Sequence, residues 1–306
     1  MTGSAHLESY SATSATASKT SFEDRYDKSL YNKRRRINRI GLGFAWMAMA
    51  FGLFWLFWIL FTLFVEGFQG IVELPIFVSD TPPPMSIGGL RNAIVGSVML
   101  AFSGLFIGAP IGLMTGIYLS EFANGSLLGK VTRFLNDILL SAPSIVIGLF
   151  IYALMVKGSS FSGWAGALAL ALIVIPVVVR TTENMLNLVP NTLREAAYAL
   201  GTPKWKLVTQ VTVKAAQAGL TTGVLLAFAR ITGETAPLLF TALNNQYFST
   251  DMSQPIANLP NTIYQFAMSP YENWHTLAWA AALLITLSVL TLNILARFIG
   301  SRGHSK

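Results

Sequence analysis

Cysteine is absent from the 306-residue chain, so disulfides, iron–sulfur clusters and thiolate-held metals are excluded. Histidine is nearly absent: His6, His275 and His304 lie far apart, and no histidine metal site is expected. Charge is scarce too. Lys, Arg, Asp and Glu make up 11% of the residues, against about a quarter in soluble domains, which excludes an ordinary soluble fold. The phosphate loop of nucleotide-hydrolysing domains is missing. The stretch "GSLLGKV" (125–131) is one residue short of it and lacks the hydroxyl after the lysine. Neither a Ser/His/Asp set nor a metal cluster stands near the end of an apolar run, so a membrane-bound hydrolase has no support. Ten-residue segments of alternating polarity, the mark of a β-barrel, do not occur.

What is present is apolar. Hydrophobic residues make up 53% of the chain, and several uncharged runs reach the about 20 helical residues that cross a bilayer core. They lie at 40–65, 92–120, 138–156, 158–179, about 215–243 and 276–296. The expectation is an all-α integral membrane protein with six transmembrane helices. Residues 1–39 read as an N-terminal tail, largely mobile because "SYSATSATASKTS" offers nothing to bury. The tail ends in the basic cluster "KRRRINR" (33–39). The apolar run after it is too long for a signal-peptide core and has no clear cleavage site. Residues 40–298 form the membrane domain, and 299–306 a C-terminal tail.

Positive charge sets the topology. With the N-terminus inside and six crossings, 18 of the 21 Lys and Arg fall on the cytoplasmic side, which places both termini in the cytoplasm. Arg91 and Lys157 fall outside, and Arg230 lies within the membrane. The net charge of +7 is thereby accounted for without nucleic acid, since the basic residues flank spans and form no separate basic domain. Two outer segments are long, 66–91 and 244–275, and read either as structured connectors or as a surface for an extracytoplasmic partner. In the second span Gly104, Gly108, Gly112 and Gly116 recur every four residues. That stripe favours close helix packing over a pore lining. Pro110, Pro143 and Pro176 are expected to kink or unwind the spans that hold them.

Two charges stand where lipid should disfavour them. Arg230 and Glu234, in "ARITGETAPLLF" (229–240), are four apart and would share a helix face. Arg230 lies about 24 Å along a straight helix from Lys214, too deep for easy snorkelling. Ionisable residues at such depth mark a substrate route by default. A guanidinium presents a fork of donors that suits an oxyanion. Gly233 and Pro237 could loosen the helix beside the pair. Arg180 and Glu183 repeat the theme three residues apart at the inner end of the fourth span.

The long inner connection contains "PNTLREAAYALGTPKWKLV" (190–208). Thr192 and Glu195 have capping-box spacing, "LREAAYAL" favours helix, and Gly201 suits the left-handed residue that ends one. Thr202 and Pro203 would begin the next. A short, slim helix projecting from a bundle reads either as a tidied loop or as a lever for a soluble motor.

Glu195, Ala196, Ala197 and Gly201 fit the E-A-A-x-x-x-G pattern, and the loop resembles the coupling loop of ABC-importer permeases, although the I-x-L-P continuation is lacking. A narrower resemblance spans most of the chain from residue 33. "GGLRNAIVGS" (88–97), "RFLNDILLSAPSIVIGLF" (133–150), "RTTENMLNLVP" (180–190), "REAAYALGTPKWK" (194–206) and "ARITGETAPLLFTAL" (229–243) together resemble the A-type permeases of phosphate-specific ABC importers. The resemblance implies a type I ABC-importer permease fold in the bacterial inner membrane and ATP-driven phosphate uptake by alternating access. The chain itself would be non-catalytic and without cofactor. Implied partners are a C-type permease, a homodimeric ATPase that docks on a coupling helix near 193–201, and an extracytoplasmic phosphate-binding protein. Arg230, Glu234, Arg180 and Glu183 would line the substrate pathway. A permease for sulfate or phosphonate, and a stand-alone secondary transporter or channel, are the alternatives.

Overall fold

The computed structural model describes residues 28–123 and 125–302. The N-terminal stretch expected to be mobile lies mostly outside them, as do the last four residues. Among the described residues the chain is helical, with no strand. Contacts divide it into two units, Met1–Phe61 and Thr62–Lys306. The first contributes the start of α1 (Lys28–Glu73), whose side chains from residue 30 to 61 are exposed all round. The basic cluster 33–39 is helical and belongs to α1.

The second unit is built on α2 (Arg91–Glu121) and α5 (Gly163–Asn187). The glycine stripe explains their intimacy. A Cβ on Gly104 would stand 2.8 Å from the Leu170 Cβ, and one on Gly116 would stand 2.5 Å from the Thr182 Cβ. Gly108 and Gly112 meet Val174 and Val178 in the same way. Small residues let the backbones close, and dispersion between the ridges then replaces contacts with lipid. All four glycines are buried, so the stripe is a packing face. The span α5 is the central one, with 67% of its apolar window buried. Leu100, Leu170, Val174, Phe228 and Leu238 form part of the main core around it.

The third and fifth spans are not straight helices. Residues 138–156, expected as one span, belong to α3 (Leu127–Ser141) and α4 (Ser144–Val156), which meet at 103°. Pro143 is the cause. It has no N–H to donate and pushes Ala142 to an extended ψ of 133°. The leg α4 has thirteen residues, about 20 Å of helix. The fifth span begins as α7 (Lys204–Ile231), with a wider π-helical turn at Leu207–Thr212, and stops at Ile231. Thr232 donates its hydroxyl to Ala229 O at 2.7 Å, Gly233 follows, and Pro237 cannot continue the ladder. The chain turns into α8 (Ala236–Leu239) instead of running on to residue 243. Among the described residues five helices are long and apolar enough to cross a membrane, and the bent pair brings the number to six when it is counted as one span. The last long helix is α10 (Glu272–Arg302), preceded by the short α9 (Leu259–Ala267).

Candidate functional site

Because α7 ends early, Arg230 sits in the last turn of a helix and Glu234 in the turn beyond it, not on one continuous helical face. The pair survives in a loosened form. Arg230 Nε lies 3.9 Å from Glu234 Oε1, too far for a hydrogen bond, and the arginine side chain is 51% exposed. The turn is held in place because Gly148 of α4 lets the Pro237 backbone approach closely. Arg230 lines a narrow cleft with Ala142 and Ser144, from the α3–α4 bend, and with Pro176 and Val177 of α5. The α3–α4 bend and the end of α7 therefore meet at Arg230.

Arg180 follows Pro176 by one helical turn, about 6 Å along α5. The Arg180–Glu183 pairing suggested by their spacing does not form. Glu183 is buried and accepts a 2.6 Å hydrogen bond from Arg133 Nε of α3, while Arg133 Nη2 also donates to Leu119 O at 2.9 Å. Arg180 faces Asp137 instead, with Nη1 3.9 Å from Oδ1 and its side chain again 51% exposed. Asp137 and Arg133 lie in "RFLNDILLS", where Arg133 reads only as a marker of the inner side. Nothing in the linear order ties either to a residue more than 40 positions away.

The five arginines between α2 and α8 thus fall into two kinds. Arg91, Arg133 and Arg194 are within 3.0 Å of a carboxylate and donate hydrogen bonds to it. Arg180 and Arg230 each stand 3.9 Å from theirs, and among the described residues neither they nor Asp137 and Glu234 make a side-chain hydrogen bond. Both guanidiniums keep unspent donors, and the cleft lined by Arg230 reaches Pro176, one helical turn before Arg180 along α5.

The helix predicted near 193–201 is α6 (Asn191–Ala199). Its start differs from the expectation. The helix begins one residue before Thr192, the N-cap position is Pro190, and no side-chain cap forms. Its end is as read: Gly201 has φ of +75°. Gly201 N–H donates to Tyr198 O and Thr202 N–H to Ala197 O, the paired bonds that close a helix at a left-handed glycine. Thr202 is spent there, and Pro203 caps the next helix in its place. Glu195 and Ala196 are exposed, while Ala197 is buried against Leu207 and Val208.

Comparison with known proteins matches this architecture. Residues 108–303 fit the family model described as "Binding-protein-dependent transport system inner membrane component". The chain is 58% identical over 282 residues to the phosphate transport system permease protein PstA of Yersinia pestis, covering 92% of this chain and 95% of that protein. It is 39% identical over 226 residues to PstA 1 of Mycobacterium tuberculosis strain H37Rv, covering 72% and 73%. Among solved structures, an inward-facing form of the MetNI methionine ABC transporter superposes with a TM-score of 0.59 at 20% identity, over 70% of this chain and 95% of that one. An amino acid ABC transporter gives 0.53 at 18% identity, over 70% and 92%. The fold is that of a type I ABC-importer permease. The chain belongs to the family of binding-protein-dependent inner membrane components, and within it to the PstA permeases. It is a multi-pass inner-membrane protein.

Proposed function

We propose that the chain is a permease subunit of an ATP-driven importer, and that inorganic phosphate passes Arg230 and then Arg180 on its way to the cytoplasm. The observation that carries this reading is the pair of half-exposed arginines whose carboxylates stand at 3.9 Å. A carboxylate at hydrogen-bond distance would hold its arginine against a passing anion. One held loosely keeps the site neutral between turnovers and yields when phosphate arrives. Weak, replaceable contacts are what a conduction step requires.

Both arginine side chains are 51% exposed in the isolated chain, and a second, C-type permease would complete the pathway beside them. With both termini and α6 in the cytoplasm, as the positive charge indicates, Glu195, Ala196, Ala197 and Gly201 belong to the docking segment for a homodimeric ATPase. Hydrolysis then takes place in that partner, and an extracytoplasmic binding protein delivers phosphate at the opposite end. A stand-alone transporter or channel would have no use for α6.

The test is ATP-driven uptake of labelled phosphate by the reconstituted complex, with sulfate and phosphonate as competitors. Uptake that is unaffected by Arg230→Gln, or phosphate movement by this chain alone without an ATPase, would refute the proposal. Stronger inhibition by sulfate than by unlabelled phosphate would reassign the anion.

A further inference from the structure

Arg194 emerges from the first turns of α6, where sequence reasoning sees only helix-favouring composition. Its guanidinium uses all five N–H groups. Nε and Nη2 donate to Glu121 Oε1 at 3.3 and 2.9 Å. Nη2 also donates to Leu186 O at 2.8 Å, and Nη1 donates to Val189 O and to Asn191 Oδ1. Leu186 lies in the last turn of α5 and Val189 just past its end. Glu121 is the last residue of α2. One side chain therefore ties together the ends of α2 and α5 and the start of α6.

The position of Glu121 is costly without this partner. A carboxylate at a helix C-terminus opposes the helix dipole, and its side chain is only 6% exposed, against 17% for Arg194. Removing one member of such a pair strands the other charge away from water. The same turn of α2 is gripped from the far side of α6 as well. Lys204 Nζ lies 4.5 Å above the Phe122 ring, and Ala197, Leu207 and Val208 pack with Ile117. Thus α6 is fastened to α2 at its start, its middle and just past its end.

We propose that the Arg194–Glu121 pair is the mechanical link through which displacement of α6 reaches α2 and, through the packed glycine face, α5 with Arg180. The inference rests on the importer reading above. Arg194 acts as a positioning residue and meets no anion. Without the pair, α6 would pivot on its flanking Pro190 and Gly201 and absorb the stroke of the motor.

The experiment compares Glu121→Gln, Arg194→Gln and Arg194→Lys in the complex reconstituted with its ATPase, second permease and binding protein. Phosphate imported per ATP hydrolysed is measured beside ATPase co-purification. Glu121→Gln leaves the carbonyl contacts of Arg194 in place, so assembly is expected to persist. The ratio should fall at least about fivefold, the lower range of coupling between linked sites. Arg194→Gln should fall further, and Arg194→Lys should recover part of the ratio because an ammonium still reaches the carboxylate. A wild-type ratio in Glu121→Gln overturns the inference, as does loss of assembly in both Gln variants, which would make the pair purely structural. A wild-type complex that hydrolyses ATP without taking up phosphate would instead sink the importer reading itself.

Discussion

Substituting Gly112 with leucine puts the α2–α5 contact under direct load. A Cβ at this position would stand 2.7 Å from the Val178 Cβ, 2.9 Å from Val178 Cγ1 and 3.0 Å from the Ile175 carbonyl oxygen. Ordinary carbon contacts lie near about 3.5–4.0 Å, so the helices must part by roughly 1 Å before the rest of the leucine is housed. None of the three atoms is the free end of a flexible side chain. Overpacking costs about 1–3 kcal/mol, sometimes more, and a four-carbon side chain belongs at the upper end. The better helix propensity of leucine returns somewhat under about 1 kcal/mol. The net loss is about 2 kcal/mol, which for a domain of this size lowers the melting midpoint by about 4–8 °C. Tryptophan fluorescence of the purified chain in detergent follows the transition. Gly52→Leu is the control: no atom lies within 4 Å of a Cβ there, and its midpoint should match the parent. If Gly112→Leu melts within about a degree of the parent, the packing argument for the stripe fails.

Four further outcomes follow from the charges and from Gly201. Arg230→Gln should abolish phosphate uptake while the complex still co-purifies, and Arg230→Lys should restore only part of it, because an ammonium lacks the planar fork. Arg133→Gln should lower the melting midpoint, since it strands buried Glu183 at a cost of up to about 3 kcal/mol. Asp137→Asn should shift stability by less than about 0.5 kcal/mol and show its effect in uptake rate alone, its ion pair being long and exposed. Gly201→Ala meets no neighbour but forces a side chain into φ near +75°, costing about 1–2 kcal/mol locally. ATPase co-purification should weaken by up to about tenfold while the span helices melt unchanged.

The parts of the fold readable from sequence were those set by local physics. Uncharged length located the spans, four-residue glycine spacing located the packing face, and Gly201 located the end of α6. The misread parts depended on what proline and its neighbours do to a continuing helix. Pro143 bends the third apolar run by 103°, and Thr232, Gly233 and Pro237 together stop the fifth. Each signal was visible, but a run of apolar residues conceals a break because both legs remain apolar. The charged groups divide in the same way. Depth alone singled out Arg230, and spacing brought Arg180 and Glu183 together only on paper. Their real partners, Asp137 and Arg133, come from another helix, and periodicity along one segment holds no record of them. Arg194 was hidden for a further reason: four of its five hydrogen bonds reach Glu121 and two backbone carbonyls outside its own helix.

The glycine ladder also limits how such a bundle can move. Interlocked at every fourth residue, α2 cannot slide gradually past α5. The next register that fits lies one repeat away, about 6 Å along the axis, and every intermediate position drives Cβ atoms of α5 into the α2 backbone. Shear between these two helices is therefore forbidden in small increments, which leaves hinging as the means of changing shape. Regular helix is already interrupted at the Pro143 corner, at the wide turns Tyr152–Val156 and Leu207–Thr212, and at the Thr232–Thr235 turn beside Arg230, and it is at such interruptions that a hinge costs least.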